Sequence, residues 1–241
     1  MWRVYWRLGS RHERGEGVSR ISSKACELFQ QAADLGHARA MNSLGYMYRL
    51  GKGVAKDDIK AVELYQQAAD LGDVQAMSNL GNMYRLGKGV AMDEAKAIEL
   101  YQQAVDFGDA WAMNILGCIY RLGKGVSKDE AKAVELYQQA SDLGDARAMK
   151  NLGYMYESGR GVAKDEAKAV KLYQKAADLG DAWAMYNLGS MYTQGRGVAK
   201  DDGKAVELYQ KAADLGDTDA MYNLGYMYES GKGVAKDDTK A

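Results

Sequence analysis

Residues Gly51–Asp58 read GKGVAKDD, and close copies of this string begin at Gly87, Gly123, Gly159, Gly195 and Gly231. A glycine followed by lysine is reminiscent of a phosphate-binding loop. That loop needs four residues between its glycines and a hydroxyl residue after the lysine, whereas here five residues separate Gly45 from Gly51 and Gly53 follows Lys52. Such a loop is also expected once in a chain rather than six times. The string therefore predicts a structural connector and not a nucleotide site.

The connector belongs to a longer repeat, because the LG pair ending at Gly45 returns at Gly81 and Gly117 and continues at 36-residue intervals. Each repeat is predicted to hold two helices, the first over about Ala38–Leu50 and the second over about Asp58–Leu71. Both have apolar residues at helical spacing. The predicted inner face of the first helix consists of Ala40, Met41, Leu44, Gly45 and Tyr48, and that of the second of Ala61, Leu64, Tyr65, Ala68 and Leu71.

Glycine and aspartate mark the ends of these helices. Gly51 is predicted to end the first helix in the left-handed conformation, Gly53 to allow a second bend, and Asp57 to cap the second helix. Gly72 and Asp73 are predicted to form the shorter return connection. A glycine inside a helix costs about 1 kcal/mol relative to alanine. The recurrence of Gly45 therefore predicts close helix packing, against the alanines of the second helix.

Composition excludes several classes of protein. The chain has 241 residues, of which 47% are hydrophobic and 27% charged, with a formal net charge of -1, so it should fold and has no general attraction for nucleic acid. No apolar run is long enough to span a membrane, and the N-terminal residues MWRVYWRLGSRHERG lack the apolar core of a signal peptide. We expect a cytoplasmic protein, with export as the alternative if the N-terminus is incomplete.

The two cysteines, Cys26 and Cys118, lie more than two repeats apart, and no Cys/His cluster suggests zinc. We therefore expect a reduced protein without a disulfide, a metal ion or another cofactor. Cys26 replaces a valine of the second helix and is predicted to lie in the core. His37 stands at the phase of the capping aspartate and His12 at a tyrosine phase, so both are interpreted as degenerate repeat positions and not as catalytic residues.

The segments AMYNLGYMYESGKGVAKDDTKA and KAVELYQKAADLGD resemble the Sel-1-like repeat family, a branch of the tetratricopeptide-repeat superfamily. The resemblance covers nearly the whole chain. It implies an all-α fold, a right-handed α/α superhelical solenoid of 36-residue helix-turn-helix repeats, acting as a non-catalytic interaction scaffold. Enzymatic activity has been credited only to cysteine-rich members with a disulfide in each repeat, which this chain is not. The family often has proline after the loop valine, where this chain has Ala55 or Ser127.

We expect a single repeat domain over residues 1–241, with a degenerate N-terminal repeat at 1–36, five regular repeats at 37–216 and a truncated last repeat at 217–241. The last repeat lacks a second helix. The packing faces of Leu224, Met227 and Tyr228 are therefore expected to be uncovered, which predicts that the chain either belongs to a longer array or self-associates through its C-terminal end.

The candidate binding residues are those at which the copies differ. In the first helix they fall at the phases of Arg39, Asn42, Tyr46 and Arg49, which form one helical stripe turned away from the core and predicted to line a concave groove. The stripe is basic in the early repeats and aromatic and acidic in the later ones. The predicted partner-binding residues are Arg39, Asn42, Tyr46, Arg49, Arg85, Trp111, Arg121, Arg147, Lys150, Tyr154, Trp183, Tyr186, Tyr222 and Tyr226.

Tyrosine, tryptophan and arginine commonly anchor interfaces, so the stripe predicts that the chain binds an extended peptide or a partner protein. Random drift at solvent-facing positions is the alternative explanation of the variation. A second function is binding or hydrolysis of cell-wall saccharide or peptide, with sugars stacking on Trp183 and Tyr186. Glu157 and Glu229 would then supply acid-base chemistry, although they lie two repeats apart.

Two further sets of residues lie beside the stripe. Leu50, Leu86 and Leu122 either extend the contact surface or pack the loop. A row of cations is predicted to form a solvated edge rather than a nucleic-acid or lipid contact, because acidic caps lie nearby. These loop cations are Lys52, Lys88, Lys124, Arg160, Arg196 and Lys232.

Overall fold

The computed structural model describes residues 22–235. Predictions for the N-terminal repeat before Ser22, including His12, and for residues 236–241 lie outside the described residues. Within 22–235 the chain forms twelve α-helices and no strand. The helices are α1 (Ser22–Asp34), α2 (Ala38–Leu50), α3 (Asp58–Asp70), α4 (Val74–Leu86), α5 (Glu94–Asp106), α6 (Ala110–Leu122), α7 (Glu130–Asp142), α8 (Ala146–Ser158), α9 (Glu166–Asp178), α10 (Ala182–Gln194), α11 (Asp202–Asp214) and α12 (Thr218–Ser230).

The helices form two compact units, one ending at Ala112 and the other beginning at Met113. In the first unit, α1 to α5 pack each against the next, and the first helices α2 and α4 also contact each other. In the second unit, α7 to α12 pack in the same consecutive way. The predicted helix pair is confirmed, and its bounds agree with the sequence to within one residue. The predicted division into repeats of a single domain stays a prediction.

The capping residues act as the sequence predicted. Gly51 ends α2 with φ 66°, and Asp57 Oδ1 accepts a hydrogen bond of 2.9 Å from the N–H of Lys60 in the first turn of α3. Gly72 has φ 84°, and Asp73 Oδ1 accepts from the N–H of Ala76 at 2.9 Å. Each capping aspartate satisfies a backbone donor that would otherwise lack a partner at the helix start.

The second glycine of the connector has a tertiary role. Gly53 has φ 73°, and a Cβ atom placed on it would overlap the backbone of Ser22 and Ser23. A Cβ on Gly89 would likewise overlap the backbone of Asp58 and Ile59. The connector therefore packs directly on the first turn of the second helix of the preceding repeat.

Gly45 lies where two helices approach closely, as predicted. A Cβ there would lie 2.9 Å from Cε1 of Tyr65 and 3.2 Å from the carbonyl oxygen of Ala61. The predicted alanine contact is thus present through its backbone, but the nearest group is the ring of the fully buried Tyr65. The prediction from the sequence named only alanines and omitted the Tyr65 ring, which fills the space left by the missing side chain of Gly45.

The predicted core needs three corrections. Leu71 is 57% exposed, because α3 ends at Asp70 and the chain leaves the helical path there. Met47, absent from the predicted face, is fully buried. Leu224 and Met227 are buried rather than uncovered, since α11 packs against α12. The predicted self-association stays a prediction, without the support expected from these two residues.

Candidate functional site

The first-helix stripe, meaning the residues at the phases of Arg39, Asn42, Tyr46 and Arg49, is more buried than the sequence suggested. Its exposed members are Arg39, Gln75, Arg147, Trp183, Asp219, Tyr222, Tyr226 and Glu229. Its half-buried members are Tyr46, Arg49, Asn82, Arg85, Trp111, Cys118, Arg121, Lys150, Tyr154, Glu157, Tyr186, Ser190 and Thr193. Its buried members are Asn42, Ser78 and Asn114.

The expectation that variable positions are free of the core was therefore wrong at the phase of Asn42 in three repeats. Asn42 Oδ1 accepts a hydrogen bond of 2.9 Å from Nδ2 of Asn79, and Asn114 Oδ1 accepts one of 2.8 Å from Nδ2 of Asn151. Each bond joins neighbouring first helices. Ser78 is buried at the same phase without such a bond, so burial there does not depend on one side chain.

In the first unit, a cleft of about 500 Å³ lies along the stripe. It is lined by polar and aromatic side chains, namely Asn42, Ser43, Tyr46, Gln75, Ser78, Asn79, Asp109 and Trp111. No lysine or arginine is among them. Asp109, the carboxylate in the lining, caps α6 by accepting a hydrogen bond of 2.6 Å from the N–H of Ala112. The cleft therefore offers uncharged hydrogen-bonding groups, the Asp109 carboxylate and two aromatic rings.

The second unit has a cationic cleft of about 340 Å³, lined by Arg121, Lys150, Asn151, Tyr154 and Trp183. Lys150 Nζ lies 3.2 Å from Oδ2 of Asp181 and 5.7 Å from the centre of the Trp183 ring. These two contacts fix the lysine at the edge of the cleft. The surface thus combines positive charge with a broad apolar ring.

A further cleft of the second unit has a volume of about 350 Å³. Its lining includes the stripe residues Tyr186, Ser190, Thr193 and Tyr226. The ring of Tyr186 packs on the buried Tyr209, with their centres 5.9 Å apart. Every one of these three clefts is therefore lined by stripe residues. Tyr222, 78% exposed, and the exposed Arg39 and Arg147 line none of them.

The three arginines of the basic half make contacts within the chain. Arg49 lies over the Tyr46 ring at 5.1 Å, and Arg85 Nη2 donates to Asn82 Oδ1 at 2.7 Å. Arg121 Nε donates to the Tyr137 hydroxyl at 3.4 Å. Over residues 22–235, no carboxylate lies within ion-pair distance of any of the three. Their positive charge is left without a neutralising partner from the described chain.

Comparison with known proteins identifies the repeat. The sequence model of the Sel1 repeat matches residues 3–37, 38–73, 74–109, 112–145, 146–181, 184–217 and 218–241. The chain belongs to the Sel1 repeat family. Proteins of this family are generally non-enzymatic scaffolds for protein interactions. A search of curated protein sequences found no match.

Solved structures agree with this assignment. A Sel1 repeat protein from Oxalobacter formigenes shares 35% sequence identity with a TM-score of 0.90, over 98% of this chain and 95% of that one. The protective antigen c5321 of uropathogenic Escherichia coli shares 34% identity with a TM-score of 0.83, over 100% of this chain. This chain spans 52% of that antigen. The immunity protein Pa5087 of Pseudomonas aeruginosa shares 25% identity with a TM-score of 0.61, over 91% of this chain and 82% of that one. The predicted all-α solenoid class is confirmed.

The fourth complete Sel1 repeat of the described chain replaces the stripe arginine by Glu157. Its carboxylate accepts a hydrogen bond of 2.7 Å from the Tyr173 hydroxyl and forms an ion pair of 2.7 Å with Arg196. Burial, followed by the Glu157 carboxylate, raises the pKa of Tyr173 well above its usual range. Both carboxylate oxygens of Glu157 are thus engaged, which does not favour the acid-base role considered from the sequence. Glu229 is exposed on α12.

The loop cations of the Sel1 repeats reach the stripe, which the sequence analysis missed. Lys52 lies over the Tyr46 ring at 5.6 Å, Arg160 over Tyr154 at 5.5 Å and Lys232 over Tyr226 at 5.1 Å. The signal was present in the sequence, because these repeats have tyrosine six residues before the loop cation. In them the loop contributes charge to the candidate surface instead of forming a separate solvated edge.

The remaining candidates of the Sel1 chain have structural contacts. Cys26 is buried, as predicted, and burial raises the pKa of its thiol. Cys118 Sγ accepts a hydrogen bond of 3.2 Å from the Tyr137 hydroxyl. Leu50 is 40% exposed, which favours an extended contact surface over packing beneath the loop. None of the described helices is long and apolar enough to cross a membrane.

Proposed function

We propose that this Sel1 protein is a non-catalytic adaptor that binds an extended peptide, or the surface of a partner protein, along its first-helix stripe. The observation that carries the proposal is the coincidence of variation and shape. The positions at which the repeats differ line three clefts, of about 500 Å³ and 350 Å³ and 340 Å³. Drift alone does not predict that variable positions coincide with clefts.

The aromatic members of the stripe support contact with a partner. Trp183 is 38% exposed although it lies against the buried Tyr173, and Tyr226 is 52% exposed beneath Lys232. Large rings held rigidly with one surface uncovered lose little conformational entropy on binding and bury much apolar area. Such rings are well suited to anchor side chains of a bound peptide.

The charges specify the ligand further. Arg49, Arg85 and Arg121 have no carboxylate partner among residues 22–235, so a bound peptide should place acidic residues near them. Arginine is well suited to carboxylates because its planar group donates two parallel hydrogen bonds. An apolar or basic segment should lie toward Tyr222 and Glu229.

The test is affinity capture from the source cell with the intact chain and with the double variant Trp183→Ala, Tyr186→Ala. The matched control is Leu179→Ala, Leu215→Ala, which removes exposed apolar side chains, 58% and 57% exposed, from the same unit but outside the stripe. We expect the stripe variant to lose partners that the control retains. Equal recovery by both variants would show that the aromatic half of the stripe is not the binding surface.

A further inference from the structure

Each unit contains the same arrangement of three side chains, and corresponding members lie two repeats apart. In the first unit these are Asn42 on α2, Asn79 on α4 and Trp111 on α6. In the second unit they are Asn114 on α6, Asn151 on α8 and Trp183 on α10. We call these two arrangements the Asn-Asn-Trp sets. At the phase of Asn42 the intervening repeats have Ser78 and Lys150 instead, so the arrangement is absent from them.

The two sets agree in geometry. The asparagine hydrogen bond measures 2.9 Å in the first and 2.8 Å in the second. Trp111 lies edge-on to Tyr101, with ring centres 6.1 Å apart and an interplanar angle of 75°. Trp183 lies edge-on to Tyr173 at 5.8 Å and 73°. Both tyrosines are fully buried, so each tryptophan is held against a rigid support.

The Asn42–Asn79 pair lines the first cleft and retains unused hydrogen-bonding capacity there, whereas in the second set Asn151 lines the cleft and the buried Asn114 holds it in place. The shared bond uses one donor of Asn79 and one lone pair of Asn42, while the amide N–H groups of Asn42 and the carbonyl oxygen of Asn79 remain. In the second set, Nδ2 of Asn151 also lies 3.7 Å from the Cys118 sulfur, and the carbonyl oxygen of Asn151 remains. A peptide group presents one acceptor and one donor; the first pair can bond to both, and in the second pair the carbonyl oxygen of Asn151 can accept from the peptide N–H.

We propose that the chain has two like peptide sites, one in each unit, where an Asn-Asn pair binds a main-chain amide and the tryptophan contacts an apolar side chain. This inference rests on the proposed peptide-binding function and specifies how the ligand is held. Main-chain recognition requires an extended segment, because a helical peptide has its own amide groups paired. The chain is thus bivalent toward its ligand.

A peptide fits the sets better than a saccharide does. A sugar ring stacks on the face of a tryptophan, but Lys150 lies over the Trp183 ring and is held there by its ion pair with Asp181. The edge-on contact with Tyr173 occupies another part of that ring. The remaining surface suits an apolar side chain that approaches from the asparagine pair.

The two sites differ in charge and hence in the sequence that they select. Lysine and arginine are absent from the described lining of the first cleft, whereas the second is lined by Arg121 and Lys150. The first cleft also contains the Asp109 carboxylate, so the first site should bind a segment without an acidic side chain beside the docked amide. The second should bind a segment with an acidic side chain beside the docked amide, because Arg121 has no carboxylate partner within the described chain.

The experiment starts from a displayed library of random short peptides selected on the intact chain. Selected peptides are titrated into chain labelled with 5-fluorotryptophan, whose four tryptophan signals in fluorine NMR are assigned by single Trp→Phe substitutions. Asn79→Leu should weaken the response at Trp111 about tenfold and spare Trp183, and Asn151→Leu should do the reverse. The matched control is Gln138→Leu, which removes an amide side chain of α7 outside the stripe and the three clefts, and it should change neither.

Methylation of single peptide nitrogens tests main-chain recognition on the unaltered chain, so it decides the question even if a variant fails to fold. One methylated position should lose at least about tenfold in affinity at each site. If a peptide binds but Trp111 or Trp183 gives no response, the inference is overturned and the adaptor function stands. The same holds if methylation of the peptide nitrogens does not change the affinity. If no peptide or partner protein binds, both fail. Binding of a chitin oligosaccharide at these tryptophans in place of peptides also overturns it.

Discussion

His37 shows how one residue can set a local pH dependence. It replaces the aspartate found at this cap in the following repeats, and its Nδ1 accepts a hydrogen bond of 3.0 Å from the N–H of Ala40. Only a neutral imidazole can accept through this nitrogen. Burial lowers the pKa of His37 from its usual 6.5. The folded chain therefore favours the neutral form.

We expect the stability contributed by His37 to be complete above pH 6.5 and to be lost as the pH falls below it, through the lowered pKa of the folded state. His37→Asp should remove this loss, because aspartate stays ionised and keeps the cap, which contributes about 1 kcal/mol. Urea unfolding at neutral and mildly acidic pH measures the effect. His12→Gln is the control for the other histidine of the chain. An unchanged pH dependence in His37→Asp would contradict the assignment.

The helix-capping residues were the most predictable part of the molecule. Gly51, Asp57 and Asp73 were assigned correctly from the sequence because a cap depends on a few neighbouring backbone groups. Asn42 was misjudged because its burial depends on Asn79 in the next repeat. Variation between copies indicates that a position does not require one particular side chain, but it does not indicate that the position makes no contacts.

At the scale of the helix and its connector, two glycines with similar backbone angles should differ sharply in tolerance. Gly89 has φ 69° and packs on the backbone of Asp58, whereas Gly108 has φ 82° and a Cβ atom added to it would meet no atom within 4 Å. Gly108→Ala should cost about 1 kcal/mol from the left-handed conformation alone. Gly89→Ala should cost several times as much, because it also separates the connector from α3.

Urea midpoints of the two variants and the parent chain measure this difference, with circular dichroism to confirm the helix content. Equal destabilisation would mean that the connector does not hold neighbouring repeats together. The sequence indicated that both glycines need a positive φ, but it did not separate them. That difference arises from contacts between repeats, which no single repeat contains.

At the scale of the whole molecule, the two sites should respond differently to salt. Raising the ionic strength should weaken the peptide response at Trp183, where Arg121 and Lys150 line the cleft, and leave the response at Trp111 nearly unchanged. Arg121→Gln should remove most of the salt dependence at Trp183. Equal salt dependence at both tryptophans would contradict the proposed difference between a site without lysine or arginine in its described lining and a cationic site.

Repeat deletion tests the order of the sites along the chain. Deleting residues 110–181 removes two repeats and brings Trp183 to the phase of Trp111, so one complete Asn-Asn-Trp set should remain and bind one peptide. Deleting residues 110–145 removes one repeat and places Arg147 at that phase, so neither set is complete and binding should be lost. Calorimetric stoichiometry measures the outcome, and circular dichroism confirms that both shortened chains are helical. Binding by the chain that lacks one repeat would refute the arrangement.

The near identity of the connectors also matters for inheritance. Because GKGVAKDD at Gly51 and GKGVAKDD at Gly231 are identical and the copies between them nearly so, a duplication or deletion that joins one connector to another leaves the connector sequence almost unchanged. An exchange in register adds or removes whole repeats and preserves every helix cap. An exchange displaced by one repeat disrupts the spacing of the Asn-Asn-Trp sets. An exchange displaced by two repeats adds or deletes one complete set. A duplication or deletion of two repeats would therefore alter the proposed valency of the protein without any point mutation.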